Sequence, residues 1–341
     1  MRTFTVKERF LARLNLLPLP IYDAFASPLF GHVVVQAITL NLFEKLPGTT
    51  RELAESTHAH PEAVRYLLSS LELSGYIKEH GGRFSPTPLT RKWLMKSSPT
   101  YLGHFLQYVN LLYARWMYLS GTLRNGEPPV SYFESFGERE WEIYVYGMKD
   151  LASVFVPHVI PKVRLPEGAV SIVDLGGAHG LYSIALCKRY PRLHATIVDF
   201  PQALRFAKRI LDEHGFSDRI TLEAGNFLEM EFPHQHADAV LGFNIVHGLS
   251  PGKNLDLSHK VKAMLKPGGS FFVLDQFQDR RGSKLEQFIP LMVGINLMNE
   301  AGGRTYSVDE VAEWSEEAGF RNFRVRRLRL PGVKLVELRN T

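Results

Sequence analysis

The stretch Ile172-Val173-Asp174-Leu175-Gly176-Gly177-Ala178-His179-Gly180 sets one carboxylate and three glycines between two apolar runs. A β-branched run leads in, and Leu181 to Leu186 leads out with helical spacing. A strand, a glycine turn and a helix in that order bring bare backbone N–H groups close to a ligand. A nicotinamide dinucleotide would require G-x-G-x-x-G, and the first position of that pattern falls on Leu175. A second carboxylate, Asp199, closes the next β-rich run, where an acid can accept the hydroxyls of a ribose. His247 follows a fourth such run, "ADAVLGFNIVHGLS", at the end where ligands sit in parallel α/β sheets. With an ordinary pKa of about 6.5, a histidine there can take a proton from a hydroxyl group.

The elements that must position these groups are legible downstream of Val170. Strands are predicted at 170–175, 194–199, 219–224, 238–243 and 270–275, and helices at 181–190, 201–214 and 254–266. Their alternation implies a parallel sheet covered on both faces. After the helix "SVDEVAEWSEEAGF", residues 321–330 and 333–339 suggest a closing pair of strands joined near Pro331-Gly332. Up to about residue 165 the pattern is mostly helical. There, helices from Thr50 and Pro61 precede "YIKEHGGRFSPT", two strands around a His80-Gly81-Gly82 turn. Two helices and a hairpin make a winged helix. Its would-be recognition helix, "PEAVRYLLSSLEL", carries one arginine against two glutamates, whereas phosphate contacts require clustered Lys or Arg. A packing or dimer-forming role is expected, and no nucleic acid.

Composition narrows the classes further. The 341 residues suit two domains, and 45% hydrophobic content supports a sizeable core. A net charge of +5 spread over 40 basic and 35 acidic residues is too dilute to argue for a polyanion partner. One cysteine, Cys187, rules out an internal disulfide and fits a reducing compartment. The apolar runs near Val33–Phe43 and Phe288–Met298 are short and interrupted by polar residues, so no membrane span and a cytoplasmic location are expected. Lys7, Glu8, Arg9 and Arg13 break up the N-terminal apolar residues as in an amphipathic helix, not a signal peptide. The N-terminal apolar helices, with Leu111–Leu123, exceed what a lone winged helix can bury, which predicts a two-fold interface.

Taken in order, these stretches resemble the class I S-adenosylmethionine-dependent O-methyltransferases of the winged-helix, small-molecule type. The resemblance runs through "LNLFEKLPGTTRELAESTHAHPEAVRYLLSSLELSGYI", the glycine turn, "YPRLHATIVDFP", "GNFLE", "LKPGGSFFVLD" and "SVDEVAEWSEEAGF", nearly the whole chain. It implies a mainly helical winged-helix dimerisation domain at 1–100 and a helical linker at 101–165 contributing to dimer and pocket. A Rossmann-like α/β methyltransferase domain then fills 166–341. It implies S-adenosylmethionine held by Asp174, Gly176, Gly177, Gly180, Asp199, Asn226 and Phe227, the last two meeting the adenine. It also makes His247 the catalytic base and Asp275 its first acidic partner, in a homodimer acting on a small hydroxylated aromatic metabolite. Three positions depart from the family's pattern: Ala178 stands where glycine is usual, Asn226 where aspartate is usual, and Gly303 where a second acidic partner precedes Arg-Thr. Glu300 lies nearby in sequence.

Acceptor recognition is less legible. Tyr144 and Met148 share a helix face and match a position that flanks the reacting centre in relatives. Phe288, Met292 and Asn296 suggest a further wall, with Trp116 and Met117 beside it. His234-x-His236 lacks an evident third ligand, so no metal is expected. Two other readings compete: a non-methylating decarboxylase or hydroxylase on the same scaffold, and a ligand-sensing winged-helix regulator.

Overall fold

Capping boxes written in the sequence start several helices: Thr49 with Glu52, Ser283 with Glu286 and Ser307 with Glu310 each exchange side-chain and backbone hydrogen bonds. The structure is a computed structural model that describes residues 5–128 and 133–340. It divides into two units, one running to Leu111 and one from Leu112 onward. The boundary falls inside the helix Gly103–Trp116, so the segment expected as a separate linker at 101–165 is shared between the units.

The first unit holds helices α1 (Val6–Arg13), α2 (Leu19–Thr39), α3 (Thr50–Thr57), α4 (Pro61–Leu73) and α5 (Pro88–Trp93), and the start of α6 (Gly103–Trp116). Strands β1 (Gly48–Thr49), β2 (Ile77–His80) and β3 (Arg83–Pro86) form a small antiparallel sheet in the order β1-β3-β2. The expected pair of helices and hairpin are therefore present. Leu42, Phe43, Leu53, Leu68, Leu71 and Ile77 close their core. On α4, Arg65 pairs with Glu62 at 2.7 Å, which neutralises that helix's single arginine.

One expectation is corrected here. By length and composition α2 is long and apolar enough to cross a membrane, and only 22% of its most apolar stretch is buried. Prolines 20 and 28 hid this continuity. Pro28 has no N–H to offer, and a wider turn at Tyr22–Ala26, closed by Ser27 N–H donating to Tyr22 O, carries the helix past it.

The second unit adds helices α7 (Leu119–Asn125), α8 (Glu138–Val159), α9 (Leu181–Arg189), α10 (Pro201–His214), α11 (Pro251–Met264), α12 (Lys284–Ala301) and α13 (Val308–Glu317). Its strands are β4 (Ser171–Leu175), β5 (His194–Asp199), β6 (Ile220–Ala224), β7 (Ala237–Phe243), β8 (Leu265–Gln278), β9 (Tyr306–Ser307), β10 (Asn322–Arg327) and β11 (Val333–Arg339). The sheet order is β10-β11-β8-β7-β4-β5-β6, with β9 on β8. Strands β4 to β8 are parallel; β11 runs antiparallel to β8, and β10 antiparallel to β11.

Period-two alternation builds a core on each face. Ile172, Ile197, Leu241, Phe272 and Leu274 meet Tyr182, Leu186, Phe206 and Ile210 on one side. Val173, Leu175, Val240, Phe271 and Val273 meet Leu257, Val261 and Trp314 on the other. The chain leaves β4 toward β5 and β6, then returns to place β7 on β4's other flank. That reversal opens a crevice at the carboxyl ends of β4 and β7.

Candidate active site

The glycine turn occupies this crevice, and its geometry follows from close packing. Gly176 and Gly180 take φ of +64° and +67°, which favour glycine. A Cβ on Gly176 would lie 3.1 Å from Ile245 and 3.9 Å from Phe227, so these two apolar side chains converge on bare backbone. At Gly177 a Cβ would come within 2.6 Å of the Asp174 carboxyl carbon. Ala178 is absent from the positive-φ residues, so the alanine found there carries no backbone strain.

Asp174 corrects an expectation. Anticipated as a carboxylate open to a charged ligand, it is only 1% exposed, lies beneath Gly177, and accepts from Ser183 Oγ at 2.6 Å. Burial pushes its pKa up to about 7, the Ser183 bond opposing and Asp199 reinforcing the shift. The carboxyl group therefore braces the turn against α9. His179 Nδ1 accepts from Leu181 N–H at 3.1 Å, and burial, then Lys149, holds this histidine neutral with a pKa near 4.

Asp199 is fixed by two backbone donors, Ala178 N–H at 2.9 Å and Phe200 N–H at 2.7 Å. One bond falls on each oxygen, so each keeps capacity for another donor. Burial raises its pKa to about 6 against those bonds. Asn226 accepts from Leu228 N–H at 3.1 Å and donates to Glu229 at 2.8 Å, anchoring the turn after β6. Lys260, which the sequence reading missed, ties the same turn down by donating to the carbonyls of Phe227, Leu228 and Met230. A carboxylate with free acceptor capacity beside an apolar convergence of Phe227 and Ile245 suits a ribose and a flat base. The residues present fit a nucleoside-bearing cofactor.

His247 lies in a short turn (Val246–Gly248) beyond β7, and Asp275 lies near the end of β8. The His247 Nδ1 to Asp275 Oδ1 distance is 2.6 Å, with side-chain exposures of 16% and 1%. A carboxylate accepts only, so Nδ1 carries the proton and Nε2 is the basic nitrogen. Asp275 accepts twice more, from Gln276 N–H at 2.8 Å and His247 N–H at 3.3 Å. Burial works against the charged ring, but Asp275, helped by Glu300 and Gln276, outweighs it and holds the His247 pKa above 6.5. The Gln276 amide in turn donates to Asn244 Oδ1 at 3.2 Å, and Asn244 sits at φ +55° where β7 ends. Neither residue was found from sequence, because only the neighbouring strand ends bring them together.

The expected acceptor wall is partly assembled. Tyr144 is half-buried in an aromatic cluster with Phe133, Phe136 and Trp141, and Trp141 in turn meets Phe200, next to Asp199. Burial, then the charges of Asp199 and Glu300, raise the Tyr144 pKa, so its phenol lies within the field of both ends of the crevice. Met148 and Met292 are half-buried. Asn296 accepts from the Trp116 indole at 2.8 Å, a tie between α12 and α6. Phe288 is 55% exposed, so the expectation that it walls a closed pocket is corrected. No three His, Cys, Asp or Glu side chains converge as a metal site among the described residues.

A parallel sheet with an antiparallel strand inserted before its edge, and a glycine turn at its switch point, defines the class: Rossmann-like, S-adenosylmethionine-dependent methyltransferases. Residues 116–321, more than half of the chain, match the O-methyltransferase domain family, and the chain belongs to it. The chain is 27% identical to the tetracenomycin polyketide synthesis 8-O-methyl transferase TcmO of Streptomyces glaucescens, over 86% of this chain and 88% of that one. It is also 27% identical to the aclacinomycin 10-hydroxylase RdmB of Streptomyces purpurascens, over 83% and 79% respectively. Human N-acetylserotonin methyltransferase, solved in complex with SAM, shares the fold with a TM-score of 0.82 at 21% identity, covering 94% of this chain and 97% of that one.

The close approach at the turn yields a direct test. Gly177→Ala must push its methyl into the Asp174 carboxyl, and overpacking of this kind costs about 1–3 kcal/mol. A thermal melt of the variant should show a lowered midpoint, whereas Gly248→Ala, with open space around it, should melt like the parent.

Proposed function

We propose that this O-methyltransferase moves a methyl group from S-adenosylmethionine to a hydroxyl of a small, planar aromatic metabolite, with His247 as general base. The cofactor supplies an activated methyl on a sulfonium, so the chain's own task is to align the acceptor and remove its proton. Asp199 accepts the ribose hydroxyls, Phe227 and Ile245 flank the adenine, and the backbone of Gly176, Gly177 and Gly180 borders the amino-acid end. Asn226 keeps an acceptor lone pair for the adenine amino group. The side chains of Tyr144, Met148 and Met292 form the acceptor's apolar surroundings. The observation that carries the reading is the buried 2.6 Å His247–Asp275 pair at the mouth of the crevice. It orients Nε2 as the base, and a phenol with a pKa of about 10 needs one at neutral pH.

In the first unit Phe10, Leu14, Leu16, Ile21, Phe25 and Leu29 are all more than half exposed. A homodimer that covers this apolar surface, α2 included, accounts for them better than a bilayer, because the chain works on a small molecule through a site in its other unit. The neutralised arginine of α4 supports a winged helix that packs and binds no nucleic acid. The buried lone thiol of Cys187, its pKa raised by burial to about 11, fits a cytoplasmic enzyme. Light scattering at micromolar concentration should give twice the chain mass; a monomer would overturn the dimer.

Asp199→Ala should weaken S-adenosylmethionine binding by about 2–4 kcal/mol, read by calorimetry, through loss of charge-assisted bonds. Ionised Asp199 is the better acceptor, so wild-type affinity should fall as pH drops through about 6.

His247→Ala should leave cofactor affinity nearly intact and slow single-turnover methylation about 100–10,000-fold. Because the His247 pKa is raised, the active neutral ring is lost as pH falls, and the wild-type rate should decline with a midpoint above 6.5. Mass spectrometry of the product decides the reaction type. A product heavier by one methylene unit supports methyl transfer, and one heavier by an oxygen, as a hydroxylase would give, rejects it.

A further inference from the structure

Position 303 has no room for a side chain. A Cβ on Gly303 would lie 2.5 Å from the His247 carbonyl oxygen, which is backbone and cannot yield. The same carbonyl accepts from Arg304 N–H at 2.8 Å, so the segment after α12 is clamped onto the histidine turn. An acid at 303 is therefore excluded by packing in this chain, not merely missing from its sequence.

The buried carboxylate on this side comes from one turn earlier. Glu300 is 6% exposed, in the last turn of α12, and α12 packs against the Val246–Gly248 turn. Its neighbour Asn299 locks that turn in place by accepting from Thr122 Oγ1 at 2.7 Å and donating to Arg115 O at 2.9 Å. A glutamate is poorly placed there by local rules alone. The last turn of a helix disfavours negative charge, and burial adds a desolvation cost. Local structure thus does not explain it, while a ring that becomes positive beside it does.

Resting on the reading of His247 as general base, we propose that Glu300 is a positioning residue: the second carboxylate of the acid–base site, which stabilises the imidazolium formed when His247 Nε2 takes the acceptor's proton. The balance is simple. The acceptor O–H bond breaks, its proton goes to Nε2, and the oxygen's electron pair forms the bond to the methyl carbon. Asp275 and Glu300 then face the new cation from two elements, β8 and α12. The other groups in this neighbourhood are the Gln276 amide from β8, which is neutral, and the Tyr144 phenol from α8, which stays protonated. The Arg304 guanidinium is held away by its 2.7 Å pair with Glu310 and its seat over Tyr306. Glu300 raises the pKa of both His247 and Tyr144, which agrees with this placement.

The test reads the histidine without turnover. NMR titration of histidine-labelled protein, with His247 assigned from His247→Gln, should show its midpoint at lower pH in Glu300→Gln than in wild type. The acid limb of the single-turnover rate should move to lower pH with it, while S-adenosylmethionine affinity stays unchanged. An unmoved His247 midpoint in a variant that still binds cofactor overturns the proposal. Glu300→Asp keeps the charge but retracts it by one methylene, so it should shift the midpoint less than Glu300→Gln. If Glu300→Gln does not fold, Glu300→Asp must still lower the midpoint, and no shift overturns the proposal. Should the midpoint move while His247→Gln methylates at the normal rate, the coupling stands and the general-base reading fails instead.

Discussion

The carboxylate of Asp275, 1% exposed at the end of β8, constrains the reacting end of this molecule. A buried charge must be met by hydrogen bonds, and three converge on it: the His247 ring, the His247 backbone and the Gln276 backbone. Two of the three come from the turn after β7. The turn's position is thus set by the need to satisfy an acid on the neighbouring strand. Once it is set, the His247 carbonyl faces Arg304 N–H, and that bond closes position 303 against any side chain. The ring orientation and the approach of α12 follow from one electrostatic requirement.

The cofactor end is organised by a second buried acid with a different task. Asp174 does not reach outward; it sits under Gly177 and bonds Ser183 on α9. Gly177 is needed because its missing Cβ makes room for that carboxyl group. Asp199, one strand over, pulls the same turn inward through Ala178 N–H. Two acids therefore shape the turn from below and from the side, and only Asp199 keeps acceptor capacity toward the crevice. The departures from the family's pattern are absorbed locally: Ala178 avoids the left-handed region, and Asn226 anchors its own turn through Leu228 and Glu229.

Much of this was legible in the sequence, for physical reasons that can be named. Period-two apolar runs and helical spacing fixed the strands from 170 to 275 and the helices between them, because burying one face is a local demand. Residues placed at the ends of strands, such as Asp199 and His247, could be assigned to the ligand side because a parallel sheet with crossovers puts all those ends on one edge. The continuity of α2 was missed since two prolines signal breaks, and a wide turn that bridges one leaves no mark in composition.

By itself, then, the sequence determined the alternating α/β order, the glycine turn and the identity of His247, Asp275 and Asp199 as candidates, all properties of spacing within single elements. Tertiary structure alone decided which way Asp174 turns, that Lys260 ties down the loop after β6, and that Gln276 and Asn244 stand beside the base. It also decided that Gly303 is closed and Glu300 buried at the reacting end. These depend on which strands become neighbours and how closely a helix end approaches a loop. Such contacts join residues up to dozens of positions apart, and no local pattern of polarity records them.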